Sequence, residues 1–384
     1  MILLMNNEKC HIRYWGIDNM VKKNIVFIIH RMQDGGAGGA ERVISTLANN
    51  AAISGDDVTL ITAKEFNTSY YIHPDVRCVS LDDKKNSLFK LFAFIKILKE
   101  TKCDVIVSFL TGINIFSIIA GRICDVKVIA CERTDPKHSA TNLMKKILRK
   151  LLYRLANGFV FQTEEAKLFF SKDIQRRSII IPNPLKEPLP EPYTGVRNDE
   201  IVTVGRFDSQ KNHKLLFEAF SEVAKVNPEV SLTLYGDGPL RAEYTKILKE
   251  LGISSRVNFP GWHPDVHERI LKSRMFVLSS DYEGISNAML EAMALGIPTI
   301  STDCPCGGSR MFIEDGVNGL LVPVGNKKAL VNAINKLIID KDDLSKTISQ
   351  NCIKIKDKLK VEGIFSMWNS YISKILESNS KTNK

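Results

Sequence analysis

The sequence predicts an α/β protein of two doubly wound lobes, each a parallel sheet covered by helices, facing one another across a cleft. Three observations carry this. From Asn24 onward, short β-branched runs alternate with longer amphipathic ones, the pattern of parallel strands joined by crossover helices. Between residues 182 and 192 fall five of the fourteen prolines, at 182, 184, 188, 190 and 192, which makes a stiff hinge. The alternation then restarts at Glu200-Ile-Val-Thr-Val-Gly205, so a second sheet follows the first.

Strands are expected at 24 to 30, 57 to 62, 76 to 80, 104 to 109, 126 to 131, 158 to 162 and 178 to 181 in the first lobe. The second lobe should place them at 200 to 205, 230 to 235, 256 to 259, 275 to 279, 298 to 301 and 319 to 322. Residues 362 to 377 carry Ile364, Phe365, Trp368, Tyr371, Ile372 and Ile375 at helical spacing, so a last helix must dock an apolar face. The expected domains are 24–190 and 191–361, with 362–384 as final helix and tail and 1–23 as an extension. That extension has no basic region ahead of a sustained apolar core, unlike a secretory signal. Residues 1 to 19 are expected to be disordered or to precede the true start at Met20.

With 384 residues, 44% apolar and 25% charged, the chain can build two cores, and no apolar run reaches the roughly 18 to 20 residues that span a bilayer. Eight scattered cysteines read as reduced core residues, and Cys304-Pro-Cys306 is too tight for a zinc knuckle without a second pair. The formal charge of +10 is unevenly placed: residues 1 to 190 hold 28 Lys and Arg against 19 Asp and Glu, whereas 191 to 384 hold 25 against 24. A one-sided positive field suits a polyanion such as a membrane surface, a lipid diphosphate or nucleic acid. Nucleic acid is disfavoured, because no aromatic-basic interleaving or base-reading motif is present.

The richest stretch is Asp281 to Gly296, with Glu283 before a run of helix formers and Glu291 inside it. If Gly284 starts the helix, eight positions return to roughly 80° and climb about 12 Å, so both carboxylates look out from neighbouring parts of one side. Between them the first-turn amides of Gly284, Ile285, Ser286 and Asn287 attract anions through unpaired donors and the helix dipole. A ligand with a negative middle and hydroxyls on either side fits that pattern, and so does an ordinary amphipathic helix. Other loops also follow strands. Asp34-Gly-Gly-Ala-Gly-Gly39 leads into a helix and lets backbone approach a phosphate. Arg206 and Lys211, in Gly205-Arg-Phe-Asp-Ser-Gln-Lys-Asn-His213, leave a strand end where cations clamp a diphosphate. Tyr235-Gly-Asp-Gly-Pro-Leu240 reads as a helix-capping turn, and Phe259 and Trp262 as core or as a platform for a base.

The Gly-Gly-Ala-Glu-Arg loop, the Gly-Arg-Phe to Asn-His segment, the Tyr-Gly-Asp-Gly-Pro-Leu turn and the Glu283 to Glu291 stretch followed by Ser301-Thr-Asp-Cys-Pro-Cys-Gly-Gly-Ser-Arg310 resemble glycosyltransferase family 4. These are retaining enzymes of GT-B fold, with two Rossmann-like domains and a C-terminal helix crossing back to the first. The likeness runs in order from residue 24 to about 375. It implies transfer of a sugar from a nucleotide sugar, with a UDP donor the expectation from the 301–310 run and no cofactor or metal. By that resemblance Glu283 meets donor-sugar hydroxyls and the charge of an oxocarbenium-like state. Glu291 meets the ribose, and Arg206 and Lys211 the diphosphate, helped by the amides of Gly284 to Asn287. Gly38 and Gly39 close over the donor. Glu132 and Arg133 are assigned to the acceptor side, where relatives often carry a histidine, and Met311 replaces a frequent acidic residue.

The single Asp-x-Asp, Asp340-Lys-Asp342, is far from any expected strand end and offers no metal-diphosphate site. Asn142 to Leu155 alternates apolar and basic pairs, so a helix there should carry an apolar stripe flanked by Lys145, Lys146, Arg149, Lys150 and Arg154. Such a helix suits an anionic membrane surface, and predicts peripheral attachment to the inner face of the plasma membrane beside a lipid-linked or polysaccharide acceptor. Residues 88 to 99 are expected to be mainly core packing. Two rival enzymes stay open: a sugar-nucleotide epimerase of the same fold, and a nicotinamide dehydrogenase using Glu65.

Overall fold

The computed structural model describes residues 22–33, 38–84, 86–340 and 343–378. The expected extension up to residue 21, loop residues 34–37 and Asp342 lie outside it. Asn24–Ile29 (β1) opens the first sheet, its NIVFII run almost wholly buried, as a parallel strand covered on both faces must be. It is joined by Asp57–Thr62 (β2), Val76–Ser80 (β3), Val105–Phe109 (β4), Lys127–Cys131 (β5), Gly158–Phe161 (β6) and Ser178–Ile180 (β7). All pairings are parallel and the order is β3-β2-β1-β4-β5-β6-β7.

Helices Gly39–Ile53 (α1), Ser87–Glu100 (α2), Thr111–Cys124 (α3), Pro136–Ser139 (α4), Leu143–Leu152 (α5), Glu164–Leu168 (α6) and Lys172–Arg176 (α7) make the crossovers. Four of these starts are capped by side chains: Asn86 accepts from the Phe89 amide, Asp135 from Lys137, Asn142 from Lys145 and Thr163 from Ala166. Lys23, assigned above to the extension, is buried and donates to Asn369 at 2.8 Å.

The second sheet contains Asn198–Val204 (β8), Ser231–Tyr235 (β9), Val257–Gly261 (β10), Ser273–Leu278 (β11), Thr299–Thr302 (β12) and Leu320–Val322 (β13). Its order is β10-β9-β8-β11-β12-β13, again parallel throughout. Helices His213–Val226 (α8), Arg241–Glu250 (α9), Val266–Ile270 (α10), Asn287–Ala294 (α11), Lys327–Ile339 (α12), Leu344–Cys352 (α13) and Ile355–Lys358 (α14) complete this lobe.

Val361–Glu377 (α15) then returns to the first lobe. Trp368 stacks on Phe109 of β4 with ring centroids 6.1 Å apart, and the Tyr371 hydroxyl accepts from the Phe159 amide and donates to the Arg177 carbonyl. Ile364, Ile372 and Ile375 are also buried; each such side chain contributes roughly 1.5–3 kcal/mol, so the return is strongly held.

Two surface helices depart from expectation. On α2 only Phe94, Ile97 and Leu98 are buried, while Leu88, Phe89 and Phe92 stand 66%, 58% and 66% exposed, so this is not mainly core packing. On α5 the face turned inward is Leu148, Arg149 and Leu152, and Leu143, Met144, Ile147 and Leu151 face outward. Both helices pack on α3. Among the described residues no helix is long and apolar enough to cross a membrane.

Candidate active site

In both sheets the order reverses beside the first strand, so a crevice opens beyond the carboxyl ends at each switch point. The second-lobe wall is made of the loop after β8 and the loop after β11. Gly236, at φ 132°, lets the turn after β9 lie against the Gly205 carbonyl, where a Cβ would come within 2.0 Å. The Phe207 amide donates to the Asp237 carbonyl at 2.9 Å and the Leu240 amide to the Phe207 carbonyl at 3.1 Å. The Tyr235–Leu240 turn is therefore a brace under the Arg206 loop. Phe259 packs on Phe207 in the same brace, and Trp262 is 41% exposed at its edge.

The braced loop carries Arg206, mostly exposed and paired with Asp208 at 2.9 Å, and Lys211, which turns inward. Lys211 Nζ lies 2.6 Å from Glu283 Oε1. Gln210 Nε2 donates to Glu283 Oε2 at 3.1 Å and to the Tyr282 carbonyl at 3.0 Å, and Ser280 Oγ reaches Glu283 Oε1 at 2.8 Å. Glu283 is thus a buried carboxylate fixed by three donors from its own lobe. Gln210 was not singled out in the sequence, although it stands next to Lys211.

Glu283 is not at a helix mouth. The helix begins at Asn287, because Ser286 takes an extended conformation and its hydroxyl accepts from the Met289 amide at 3.4 Å. The 80° argument for Glu283 and Glu291 accordingly fails: Glu283 belongs to an extended loop, and Glu291 alone belongs to α11. Gly284 is held against the first lobe, where a Cβ would meet Gln162 Oε1 at 2.1 Å and the Arg133 carbonyl at 3.0 Å. The Ile285 amide already donates to Gln162 at 3.3 Å. Of the four proposed anion donors, the Ile285 amide is thus engaged by Gln162, while Ser286 caps with its hydroxyl and the Asn287 amide stands at the helix start.

Glu291 is buried where the lobes meet. Its carboxylate lies 3.3 Å from Arg42 Nη2, on α1 of the first lobe, and 2.9 Å from His267 Nε2 on α10. Burial raises its pKa, yet Arg42, His267 and Lys186 outweigh that and hold the carboxyl below the usual range. Arg42 also donates to the Pro184 carbonyl at 2.9 Å, tying the hinge to the same cluster. Neither Arg42 nor His267 carried a recognisable signal beyond the Arg beside the glycine loop.

Across the crevice, the Gly39 carbonyl accepts from Asn287 Nδ2 at 3.3 Å and Asn183 Nδ2 donates to Asn287 Oδ1 at 2.6 Å. Gly38 caps α1 just before it. Glu41, in the first turn of α1, is buried at this edge; burial raises its carboxyl, only partly offset by the Gln33 and Gly38 amides and by Arg31 and Arg206. Glu132 and Arg133 do not reach out as an acceptor site. Glu132 accepts from Thr111 Oγ1 at 2.9 Å and from the Tyr153 hydroxyl deep in the lobe, and burial raises its carboxyl. Arg133 is buried over the Phe109 ring, donates to Asn183, and has Nε and Nη1 without partners among the described residues. Burial lowers its pKa to about 10. Besides Gln162, the first-lobe side chain of His138 meets the second lobe beside Glu283, its ring stacking on Tyr282 at 3.9 Å and 8°.

Two parallel-sheet lobes with an acidic, cationic and glycine-lined crevice between them define a glycosyltransferase of the GT-B type. The model of the Glycosyl transferases group 1 family matches residues 194–354 and that of Glycosyltransferase Family 4 matches 37–186, so glycosyltransferase models cover both lobes. The chain is 25% identical over 362 residues to a Campylobacter jejuni α-1,4-N-acetyl-D-galactosaminyltransferase named for a GalNAc-bearing diphospho-undecaprenol substrate, covering 91% of this chain and 98% of that one. Its fold matches sucrose-phosphate synthase from Thermosynechococcus elongatus with a TM-score of 0.78 at 19% identity, over 93% of this chain and 100% of that one. It also matches Anabaena HepE, crystallised with UDP, with a TM-score of 0.75 at 19% identity, over 92% and 100% of the two chains.

Proposed function

We propose that this glycosyltransferase moves a hexose or N-acetylhexosamine from a UDP-sugar to a lipid-linked or polysaccharide acceptor in cell-surface glycan synthesis, with retention at the anomeric carbon. The observation that carries it is the site at the carboxyl ends of β8 and β11, where Lys211 pairs with Glu283 and Arg206 stands exposed on the same loop as Lys211. In this reading the sugar C1–O bond to the diphosphate breaks while the acceptor oxygen bonds C1 on the same face. The acceptor proton passes to the departing diphosphate. Arg206, Lys211 and the Asn287 amide meet the negative charge left there, and Glu283 meets the positive charge developing on the sugar. Lys211 then exchanges part of its interaction with Glu283 for the diphosphate. The Campylobacter relative supports the lipid-linked acceptor, and HepE supports UDP.

The test is incubation with a panel of UDP- and GDP-sugars, with and without lipid-linked acceptor, following nucleotide release and product configuration. UDP release that depends on acceptor, with a retained linkage, supports the reading. Turnover only with GDP-sugars, an inverted product, or interconversion of UDP-sugars without acceptor overturns it. Thermal stabilisation by NAD and not by UDP would favour a dehydrogenase. We further propose that the two cations suffice for the leaving group, so activity should survive EDTA; loss restored by Mg²⁺ or Mn²⁺ refutes that part.

Peripheral attachment to the inner membrane face is proposed through α5, where Lys145, Lys146 and Lys150 are exposed around the outward apolar row, with α2 contributing Leu88, Phe89 and Phe92. Arg149 is excluded from that surface, since it donates to the Pro136 carbonyl at 2.7 Å and to Ser139 at 2.9 Å. K145E/K146E/K150E should abolish flotation with phosphatidylglycerol vesicles; unchanged flotation sinks this part.

A further inference from the structure

At the other end of the first lobe a cavity of about 520 Å³ opens between the end of α3, the chain around 154–157, the end of α7 and α15. Arg122, Arg154, Arg176, Arg177 and Lys374 line it. Arg177 is compensated, donating to Asp173 and to the carbonyls of Ala156 and Arg154. The other four form no ion pair among the described residues. Asp173 is held below the ordinary carboxylate range by its bond from Arg177, with further pull from Arg176 and Arg154, so those cations share one field. Glu377, a turn beyond Lys374 on α15, does not line the cavity.

Four exposed cations gathered on one concavity repel one another, and an anion that enters removes that repulsion while accepting several charge-assisted hydrogen bonds. The cavity lies where β6 and β7 begin, next to Asn157 and Ser178, whereas the crevice described above lies beyond the carboxyl ends of the strands. A four-residue strand spans about 13 Å, so a ligand here cannot touch the sugar nucleotide. The apolar rim is equally specific. Leu155 lines the cavity and is 45% exposed, continuing the outward row of Leu143, Met144, Ile147 and Leu151, and Ile123 stands exposed beside Arg122.

We propose that this basic pocket binds a phosphate group, supplied by the headgroup of an acidic phospholipid whose chains leave over Leu155 and Ile123. The phosphate part stands on the cavity alone. The lipid source rests on the membrane reading of α5.

The variant R122S/R176S/K374S alters exposed side chains without ion pairs among the described residues, so the fold should be kept, which circular dichroism checks. Inorganic phosphate and glycerol 3-phosphate, titrated calorimetrically into full-length protein at low salt, should bind wild type and bind the variant on the order of tenfold more weakly or not at all. K145E/K146E/K150E should retain phosphate binding even where vesicle attachment is lost, which separates failure of the pocket from failure of the α5 surface. Vesicles of phosphatidylcholine with phosphatidylglycerol should then bind the R122S/R176S/K374S variant less well than wild type. Equal vesicle binding with lost phosphate binding overturns the lipid source and supports a free phosphorylated ligand. Absence of phosphate and glycerol 3-phosphate binding to wild type, or equal binding to both proteins, overturns the proposal.

Discussion

Glu283 and Glu291 are alike in side chain and in burial, 7% and 9% exposed, yet they answer to different parts of the molecule. Among the described residues, every donor on Glu283 comes from its own lobe: Lys211, Gln210 and Ser280. Glu291 is hydrogen-bonded to His267 of its own lobe and faces Arg42 of the opposite lobe. The first carboxylate keeps its surroundings when the lobes move apart, and the second does not. Glu283 is therefore built as a preorganised charge, and Glu291 as part of a latch.

The largest effect should come from removing the cation while leaving the preorganised charge in place. With Lys211 and Glu283 side chains only 15% and 9% exposed, K211M strands a buried carboxylate and should cost about 3–5 kcal/mol in urea unfolding. K211M/E283Q should recover most of that loss without recovering transfer. A K211M protein as stable as wild type would show that the pair is open to water and the contrast with Glu291 unfounded.

E283Q alone sharpens the comparison from the catalytic side. The amide oxygen can still accept from Lys211 and Ser280, so unfolding should shift less than in K211M, while transfer falls about 10²–10³-fold. A rate within a few-fold of wild type would remove Glu283 from the chemistry.

R42A tests the latch. It takes away the first-lobe cation paired with Glu291 at 3.3 Å and also frees the Pro184 carbonyl, at an expected cost of about 1–3 kcal/mol. Small-angle scattering should show a larger radius of gyration, and saturating UDP should reverse part of the increase. An unchanged radius together with unchanged stability would mean the lobes are held by other contacts, such as Gly284 on Gln162.

The contrast between these two glutamates was invisible in the sequence, although the sheets were legible. Parallel strands covered on both faces read as short apolar runs, and each of the strands lies within a few residues of its expected place. The start of α11 was not legible, because Glu283-Gly-Ile-Ser286 contains no propensity that forbids helix; the Ser286 cap decides it three residues later than expected. Long-range partners leave no local trace, so Arg42 and His267 could not be matched to Glu291. Periodicity also misleads where a charged side chain packs inward: Arg149 looked like one of a basic flank, yet it sits 5.0 Å from the Phe169 ring and satisfies two oxygens. The same local ambiguity put Glu132 on the acceptor side, where Thr111 and Tyr153 had already claimed it.

The smallest effect concerns what lies beneath the preorganised wall. His213, in the first turn of α8 just after Lys211, has both ring nitrogens buried with no hydrogen-bond partner among the described residues, beside Phe207 and Tyr244. Burial, assisted by Lys211, lowers its pKa to about 3. A base depressed in the folded state contributes stability that is complete above its unfolded value, about 6.5, and that is lost as pH falls toward the folded value. Between pH 7 and pH 5 this amounts to about 1–2 kcal/mol. H213F should remove that slope while retaining the ring packing, so the difference in unfolding free energy between wild type and variant should change by that amount over the interval. Glu132, raised by burial, and Glu291, lowered by its cations, titrate in both proteins and cancel in the difference. Parallel stability curves would show that His213 is reached by water, and that the wall carrying Glu283 is less dry than its burial implies.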